Sequence, residues 1–275
     1  MNLSIIKISL LFSSMLLVVS CTDVVDIATP DGGERLVVEA SILWEKGTEG
    51  KNQTIKLSTS SPYFTENTNN PVTGATVVVI KNDESIPIVF EDQNNGTYIT
   101  DDFMPEIGQS YTLEINYNGQ TYQATETLMS VAEIDEFEQV VDAGFEDEDI
   151  IVNVYFNDPP NIDNYYLGIF GASTLPLVTL ETLNDEFTDG NRNFIEFEDD
   201  SFATGVTVTV VLEGISERYY NYIDLLSEQS EAADGPFQTI PVRLKGNCIN
   251  ITTPSEEVLG YFRLSEVSKG QYVIE

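Results

Sequence analysis

Short apolar segments that alternate with polar residues recur along this chain from Arg35 onward, and they constrain its fold more than any other feature. They are rich in Val, Ile, Thr and Tyr, which favour β-strands, and clusters of Gly, Pro and Asn separate them. The predicted strands lie in LVVEASILW, TIKLSTS, ATVVVIK, GTYIT, SYTLEINY, QTYQATE, IIVNVYF, NYYLGIF, NFIEF and VTVTVVL, followed by two closing strands in LGYFRL and QYVI. The pattern predicts an all-β protein.

The dipeptide Asn118-Gly119 predicts a tight hairpin, because this pair favours the two-residue turn that joins antiparallel strands. Such a turn fixes the register, and apolar residues then face apolar ones while polar residues face polar ones. The expected pairs are Leu113 with Ala124, Glu114 with Gln123, Ile115 with Tyr122 and Asn116 with Thr121. Six or seven such strands within about 100 residues predict an immunoglobulin-like β-sandwich.

One amphipathic helix is predicted near residues 216–230. Ser216 can cap its amino terminus, and Tyr219, Ile223 and Leu226 fall on one apolar stripe. The helix belongs to the second half of the chain.

An acidic stretch between Met129 and Asp149 interrupts the strand pattern. We place a domain boundary near its beginning. The sequence therefore predicts two antiparallel β-sandwich-like domains, an immunoglobulin-like one over 34–130 and a β-rich one with the helix over 131–275.

The first twenty residues have the layout of a secretory signal peptide, a positively charged start followed by an apolar tract from Ile8 to Val19. Twelve helical residues rise roughly 18 Å, whereas the hydrocarbon core of a bilayer is about 30 Å thick. The tract is therefore too short for a permanent transmembrane helix.

The residues Val18, Val19, Ser20 and Cys21 resemble the bacterial lipobox, in which the cysteine thiol receives a diacylglyceryl group. We predict cleavage before Cys21 and attachment of several acyl chains, palmitate among them, which together give lasting membrane anchorage. The segment 21–33 is then a lipidated flexible tether. An ordinary signal peptide cut near Ser20 is the alternative.

The chain is strongly acidic, with 46 Asp and Glu against 12 Lys and Arg and a formal net charge of −34. Such a field repels phosphate backbones and anionic lipid head groups. We therefore expect no nucleic-acid partner, and membrane contact only through the lipid anchor. A basic partner or bound divalent cations fit this charge better.

Histidine is absent from the sequence, which excludes Ser-His-Asp and Cys-His nucleophilic systems and zinc sites that contain histidine. With Cys21 acylated, Cys248 is a free thiol, and its predicted role is that of a small hydrophobe in a closing strand. Carboxylate pairs remain possible, but among 46 acids some pair will meet the spacing of a glycosidase by chance.

The segment DEFTDGN places Asp185, Asp189 and Gly190 at positions that suggest a calcium loop. Phe187, however, occupies the third ligand position of an EF-hand loop. A turn is the simpler interpretation. The sequence thus predicts no cofactor and no metal site, with calcium as the alternative.

Several aromatic residues suggest a carbohydrate platform, although tyrosines in strands and on a helix more often lie in the core or at its rim. They are Tyr63, Phe64, Tyr165, Tyr166, Tyr219, Tyr220 and Tyr222.

A family resemblance rests on CTDVVDI, LVVEASI, VTGATVVV, YTLEI, DPPNIDNYY, DEFTDGN, GPF, KGNCIN and EVLGYFRLSEVS. In these segments the chain resembles the Bacteroidota outer-membrane lipoproteins of domain-of-unknown-function family 4249 (DUF4249). The resemblance implies an envelope lipoprotein, often encoded beside TonB-dependent outer-membrane receptors, with no established catalytic activity and no active-site motif. Cys248 departs from the aliphatic or aromatic residue expected after the GN.

The lipobox and this resemblance together predict a non-catalytic binding or accessory protein, anchored by lipid at the outer membrane. It would work with a TonB-dependent β-barrel receptor in capturing a ligand or nutrient. Two alternatives stay open. One is a surface hydrolase that uses Asp and Glu, and the other is a structural spacer that joins neighbours through exposed sheet edges.

Overall fold

The computed structural model describes residues 33–61, 70–84, 86–143, 148–231 and 244–275. The predicted signal peptide, Cys21 and nearly all of the predicted tether lie outside these residues, as do Tyr63 and Phe64. Within the described part of the chain, no helix combines the length and the apolar character needed to cross a membrane.

Fifteen β-strands and one α-helix are formed by the described residues. The strands are β1 (Leu36–Glu45), β2 (Gln53–Thr59), β3 (Thr76–Lys81), β4 (Pro87–Asp92), β5 (Thr97–Thr100), β6 (Ser110–Tyr117), β7 (Gln120–Thr127), β8 (Ile134–Ala143), β9 (Glu148–Asn157), β10 (Tyr165–Ala172), β11 (Thr179–Asn184), β12 (Arg192–Glu198), β13 (Thr207–Ile215), β14 (Ile249–Asn250) and β15 (Leu259–Val273). Helix α1 (Glu217–Glu231) lies between β13 and β14. For the described residues, the prediction of an all-β fold with one amphipathic helix is confirmed.

Twelve strands form one large curled sheet in the order β11-β10-β13-β15-β1-β2-β5-β4-β3-β6-β7-β14, and β12-β9-β8 form a second sheet. Neighbouring strands in both sheets are antiparallel, as predicted, except β1 and β15. These two run parallel, with Val37 beside Leu259 at one end and Glu45 beside Val267 at the other.

The hairpin between β6 and β7 has the predicted register in all four pairs. Asn118 and Gly119 have φ angles of 49° and 74°, as a two-residue turn of this type requires. Leu113 and Ile115 are each 1% exposed, so the apolar face of the hairpin is the buried one.

The two closing strands predicted in LGYFRL and QYVI are wrong as separate elements, because Leu259–Val273 is one strand of 15 residues. The first part of β15 pairs with β1, and the second part pairs with β13. Between the predicted strands, Ser265, Glu266 and Ser268 are buried, and Ser265 is 0% exposed.

Two large hydrophobic cores are present. The first takes its side chains from β1 to β7 together with Cys248, Phe262 and Leu264, and the second takes them mainly from β9, β10, β12 and β13. Leu128 belongs to the first core and Val131 to the second. Residues 34–275 form one compact unit, and the division into 34–130 and 131–275 stays a prediction.

Helix α1 begins as predicted, because the Tyr219 N–H donates to the Ser216 Oγ at 3.2 Å. Tyr219 and Ile223 pack with Leu167, Ile215 and Tyr261 in a third, smaller core. Leu226 is 41% exposed, so its predicted place on the buried stripe is wrong. The buried face of the helix ends at Ile223, the last helical residue in that core.

Candidate functional site

Two loops meet where strands of the two sheets end. The 158–164 loop connects β9 to β10, and the 185–191 loop connects β11 to β12. Each loop therefore crosses from one sheet to the other. The Asp158 N–H donates to the Asn191 carbonyl oxygen at 3.0 Å, which ties the start of one loop to the end of the other.

The local sequence explains how the loops fit together. Two consecutive turns shape the 185–191 loop, since the Thr188 N–H donates to the Asp185 carbonyl and the Asn191 N–H donates to the Thr188 carbonyl. Gly190 sits against Pro160, and a Cβ at this position would lie 2.8 Å from the Pro160 Cβ. A larger residue in place of Gly190 would push the loops apart.

Three aspartates converge at this junction, and we call Asp158, Asp185 and Asp189 the aspartate cluster. One carboxylate oxygen from each lies within 4.8 Å of the other two. Asp158 and Asp185 are 5% and 4% exposed, whereas Asp189 faces solvent. The cluster thus combines two buried aspartates with one exposed aspartate.

Hydrogen bonds hold each carboxylate in place. Asp158 accepts the Tyr166 hydroxyl at 2.6 Å and the Gly190 N–H at 2.9 Å. Asp185 accepts the Asn164 N–H at 2.9 Å. Asp189 accepts the Asn161 N–H at 2.8 Å. These donors come from both loops and from β10, so the cluster depends on the junction for its shape.

The electrostatics of the cluster are unfavourable. Burial raises the pKa of the Asp185 carboxyl, the Asn164 N–H opposes this, and the neighbouring charges of Asp158 and Asp189 raise the pKa further. No ion pair formed within the described ranges includes any of the three aspartates. Three carboxylates thus share a small volume without a protein cation.

Two side-chain oxygens beside the cluster are buried and have no hydrogen-bond partner, the Asn164 Oδ1 and the Thr188 Oγ1. Asn164 is 4% exposed. It stands opposite Asp185, because Tyr165 pairs with Asn184 and the Asp185 N–H donates to the Asn164 carbonyl oxygen at 3.3 Å. Directly opposed residues on antiparallel strands project on the same face, so Asn164 and Asp185 lie side by side.

The tips of both loops expose large apolar side chains. Phe187 is 89% exposed and Ile162 is 56% exposed. Each lies within two to four residues of a cluster aspartate along the chain. An acidic site thus lies next to apolar surface on two hydrogen-bonded loops.

The chemistry available at this junction is that of hard oxygen donors. Carboxylate, amide and hydroxyl oxygens suit calcium, magnesium and other hard cations better than soft metals. They offer neither a thiolate nor an imidazole for nucleophilic catalysis.

The structure brings together part of what the sequence predicts. Asp185 and Asp189 lie in the turn expected for DEFTDGN, and both belong to the cluster. The sequence does not single out Asp158 and Asn164 as site residues, although both lie in the segment DPPNIDNYY. The available signal was an acid, Asp158, directly after the apolar strand β9, since an acid buried there needs a partner.

The remaining described candidate residues, Cys248 and the tyrosines, lie in the hydrophobic cores or at their rims. Cys248 is buried in the first core just before β14, and burial raises the pKa of its thiol to about 12. Tyr219, Tyr222 and Tyr261 pack on one another with ring centroids 4.8 to 6.0 Å apart. The prediction that such tyrosines lie in the core or at its rim is confirmed for those within the described ranges.

Comparison with known proteins identifies one family. A family model described as "Domain of unknown function (DUF4249)" matches residues 22–271. No curated protein shows significant sequence similarity to the chain.

Solved structures resemble the chain only weakly. Native Escherichia coli alpha-2-macroglobulin has a TM-score of 0.27 at 14% identity, and the match covers 68% of this chain and 13% of that one. The trypsin-activated form of that protein has a TM-score of 0.25 at 14% identity over 66% of this chain and 14% of that one. Two fibronectin type III domains of chicken tenascin have a TM-score of 0.22 at 11% identity over 58% of this chain and 83% of that one. Structural similarities this weak do not indicate a function for the chain.

Proposed function

The chain belongs to the DUF4249 family, and from that membership we propose that it is a non-catalytic, lipid-anchored protein of the outer membrane. In this proposal it works beside a TonB-dependent β-barrel receptor and helps to capture a ligand or nutrient. The observation that carries the proposal is the lipobox, which ends at Cys21, immediately before the family region at residues 22–271.

The chemistry of the chain supports binding over catalysis. The sequence contains no histidine, and the Cys248 thiol is buried with its pKa raised to about 12. A thiol with that pKa stays protonated at neutral pH and is a poor nucleophile. The exposed Phe187 and Ile162 supply apolar contact area of the kind that protein partners use.

Expression of the affinity-tagged full chain in a bacterium that processes lipoproteins tests the anchor, with Cys21→Ser as the matched control. Metabolic labelling with an alkyne analogue of palmitate should mark the wild type and leave C21S unmarked. The wild type should fractionate with membranes and require detergent for release. An unlabelled wild-type protein found free in the medium would contradict the proposal.

Affinity purification from detergent-solubilised membranes of the native host tests the partner. Mass spectrometry should identify a TonB-dependent β-barrel among the co-purified proteins of the wild type and not of C21S. Repeated recovery of the labelled protein without any β-barrel would contradict the receptor partnership while leaving the anchor intact.

The two alternatives predict different results with the same purified protein. A hydrolase using Asp and Glu would turn over members of a glycan panel, and one carboxylate substitution would abolish this activity. A structural spacer would co-purify with neighbouring proteins but would bind no small ligand.

A further inference from the structure

We propose that the aspartate cluster, together with the side-chain oxygens of Asn164 and Thr188, is a calcium-binding site that fastens the 158–164 loop to the 185–191 loop. This site goes beyond the proposed envelope function and does not depend on it. The inference rests on the charge of the cluster, on the unpartnered oxygens beside it and on its dimensions.

The three carboxylates of the cluster repel one another. Asp158 and Asp185 are almost fully buried, and no described lysine or arginine pairs with them. Backbone N–H groups and the Tyr166 hydroxyl hold the carboxylates in place, but these donors carry no full positive charge. Buried charges are ordinarily paired or bound to a metal. A divalent cation supplies the missing positive charge.

The unpartnered Asn164 Oδ1 and Thr188 Oγ1 point to a bound cation independently of the charge. Buried polar side-chain atoms nearly always have a hydrogen-bond partner, so each exception requires an explanation. Asn164 is 4% exposed, its Oδ1 has no partner, and it stands opposite Asp185 one position beyond the last β10–β11 pair, Tyr165 with Asn184. The Thr188 Oγ1 is also buried without a partner, in the turn between Asp185 and Asp189. A cation among the carboxylates gives both oxygens a partner.

The dimensions favour calcium. Calcium binds six to eight oxygens at about 2.3–2.6 Å, so two ligands on opposite sides of the ion are roughly 5 Å apart. The carboxylate oxygens of the cluster fit within 4.8 Å of one another. The set mixes carboxylate, amide and hydroxyl oxygens in irregular positions, which calcium accepts more readily than magnesium, whose ligands must approach an octahedron. Soft metals would require sulfur or nitrogen ligands that this set does not offer.

The site has a structural consequence for the loop tips. Asp158 and Asn164 come from one loop, and Asp185, Thr188 and Asp189 come from the other. A shared cation therefore fixes the distance between Ile162 and Phe187, the exposed apolar residues of the two loops. Calcium would set the shape of the surface that these residues form.

The test uses the purified full chain in detergent micelles after removal of metal by EDTA and exchange into metal-free buffer. Thermal unfolding is followed by circular dichroism with CaCl₂ at increasing concentration, and with MgCl₂ in parallel. Terbium luminescence, excited through nearby tyrosines such as Tyr166, reports occupancy directly. We expect calcium to raise the midpoint of unfolding, and to displace terbium at lower concentration than magnesium does.

Matched variants test whether calcium binds at the aspartate cluster. Asp185→Asn keeps an oxygen that can accept the Asn164 N–H but removes the charge, and it should weaken calcium binding by roughly tenfold or more. Asp163→Asn makes the same charge change outside the cluster, in the neighbouring 158–164 loop, and should bind calcium like the wild type. Asn164→Asp should lower the metal-free midpoint and enlarge the shift produced by calcium.

Three results overturn the proposal. The first is a wild-type protein whose unfolding midpoint and terbium emission do not respond to millimolar calcium. The second is an equal loss of affinity in D163N and D185N, which would show that calcium binds the acidic surface in general. The third is a D185N variant that folds and keeps the wild-type affinity.

Discussion

Asn247 and Phe262 form a closed pair of hydrogen bonds between a side chain and the backbone. The Asn247 Nδ2 donates to the Phe262 carbonyl oxygen at 2.6 Å, and the Phe262 N–H donates to the Asn247 Oδ1 at 2.8 Å. The side-chain amide thus takes the place of a peptide group along the first part of β15. Next to this pair, a Cβ on Gly246 would lie 1.7 Å from the Gly260 carbonyl oxygen. The segments KGNCIN and LGYFRL therefore form one structural unit.

Replacement of Asn247 by Ala should destabilise the protein by roughly 2–5 kcal/mol, because it leaves the buried N–H and carbonyl of Phe262 without partners. Asn247→Asp should destabilise it at least as much at neutral pH, since a carboxylate then faces a carbonyl oxygen. Urea unfolding of the full chain measures both. The exposed Asn52→Ala is the control and should change stability by less than about 0.5 kcal/mol. Equal stabilities of N247A and N52A would show that the paired hydrogen bonds do not matter.

Replacement of Gly260 by Ala should prevent normal folding or cost roughly 4 kcal/mol or more. Gly260 has a φ of 87°, and its Cβ would lie 2.0 Å from the Val38 carbonyl oxygen on the neighbouring strand. Gly205→Ala is a matched control, because Gly205 has a φ of 90° with no atom within 4 Å of its Cβ position. That variant should show only the backbone cost of about 1–2 kcal/mol. Yields of folded protein and urea midpoints compare the two.

Replacement of Glu126 by Gln should stabilise the protein at pH 7.5. Burial raises the pKa of Glu126, although the Thr127 N–H, the Ser216 hydroxyl and other groups oppose this. Because the folded pKa lies above the unfolded one, ionisation of Glu126 opposes folding at neutral pH. This cost disappears as the pH falls below the unfolded value of about 4.3.

The advantage of E126Q over the wild type should therefore shrink as urea unfolding is repeated from pH 7.5 towards pH 4. The exposed Glu228→Gln makes the same charge change on α1 and should show a smaller and flatter difference. Destabilisation by E126Q at pH 7.5 would mean that the hydrogen bonds to the ionised carboxylate outweigh its burial.

Thiol titration should detect no reactive cysteine in the folded protein and one in urea. Cys248 is 7% exposed with a pKa raised to about 12, so neither access nor ionisation favours its reaction with Ellman's reagent near pH 8. The proposed acylation of Cys21 would remove the other thiol. The Cys248→Ala variant should then show none under either condition. Two reactive thiols in urea would show that Cys21 is unmodified.

The hairpin at Asn118-Gly119 could be predicted pair by pair, because a two-residue turn and the alternation of apolar residues fix the register locally. Strand β11 gave no such pattern. Its first three residues are exposed at the edge of the large sheet, and it therefore lacks alternating apolar positions. Strand β8 was obscured by its acids, although Ile134 and Phe137 pack against the second core.

Contacts between residues far apart in sequence could not be predicted from local sequence patterns. Asp185 and Asp189 share one short segment and could be found together, whereas Asp158 reaches them from another loop. Nothing in the sequence showed that Asn164 lies opposite Asp185, since that depends on the register of β10 and β11. Most strands followed from local sequence patterns, while the composition of the candidate site followed from tertiary pairing.

The parallel pairing of β1 with β15 affects how the molecule is made. Ser41 and Arg263 form a hydrogen bond across 222 positions of sequence. When β1 leaves the ribosome or a secretion channel, its neighbour has not yet been delivered, and the first core still lacks Phe262 and Leu264. Contacts so distant in sequence form slowly and leave strand edges open to aggregation in the meantime. The nascent chain must therefore be kept from premature association until β15 is available, which makes it a natural client of chaperones while it folds.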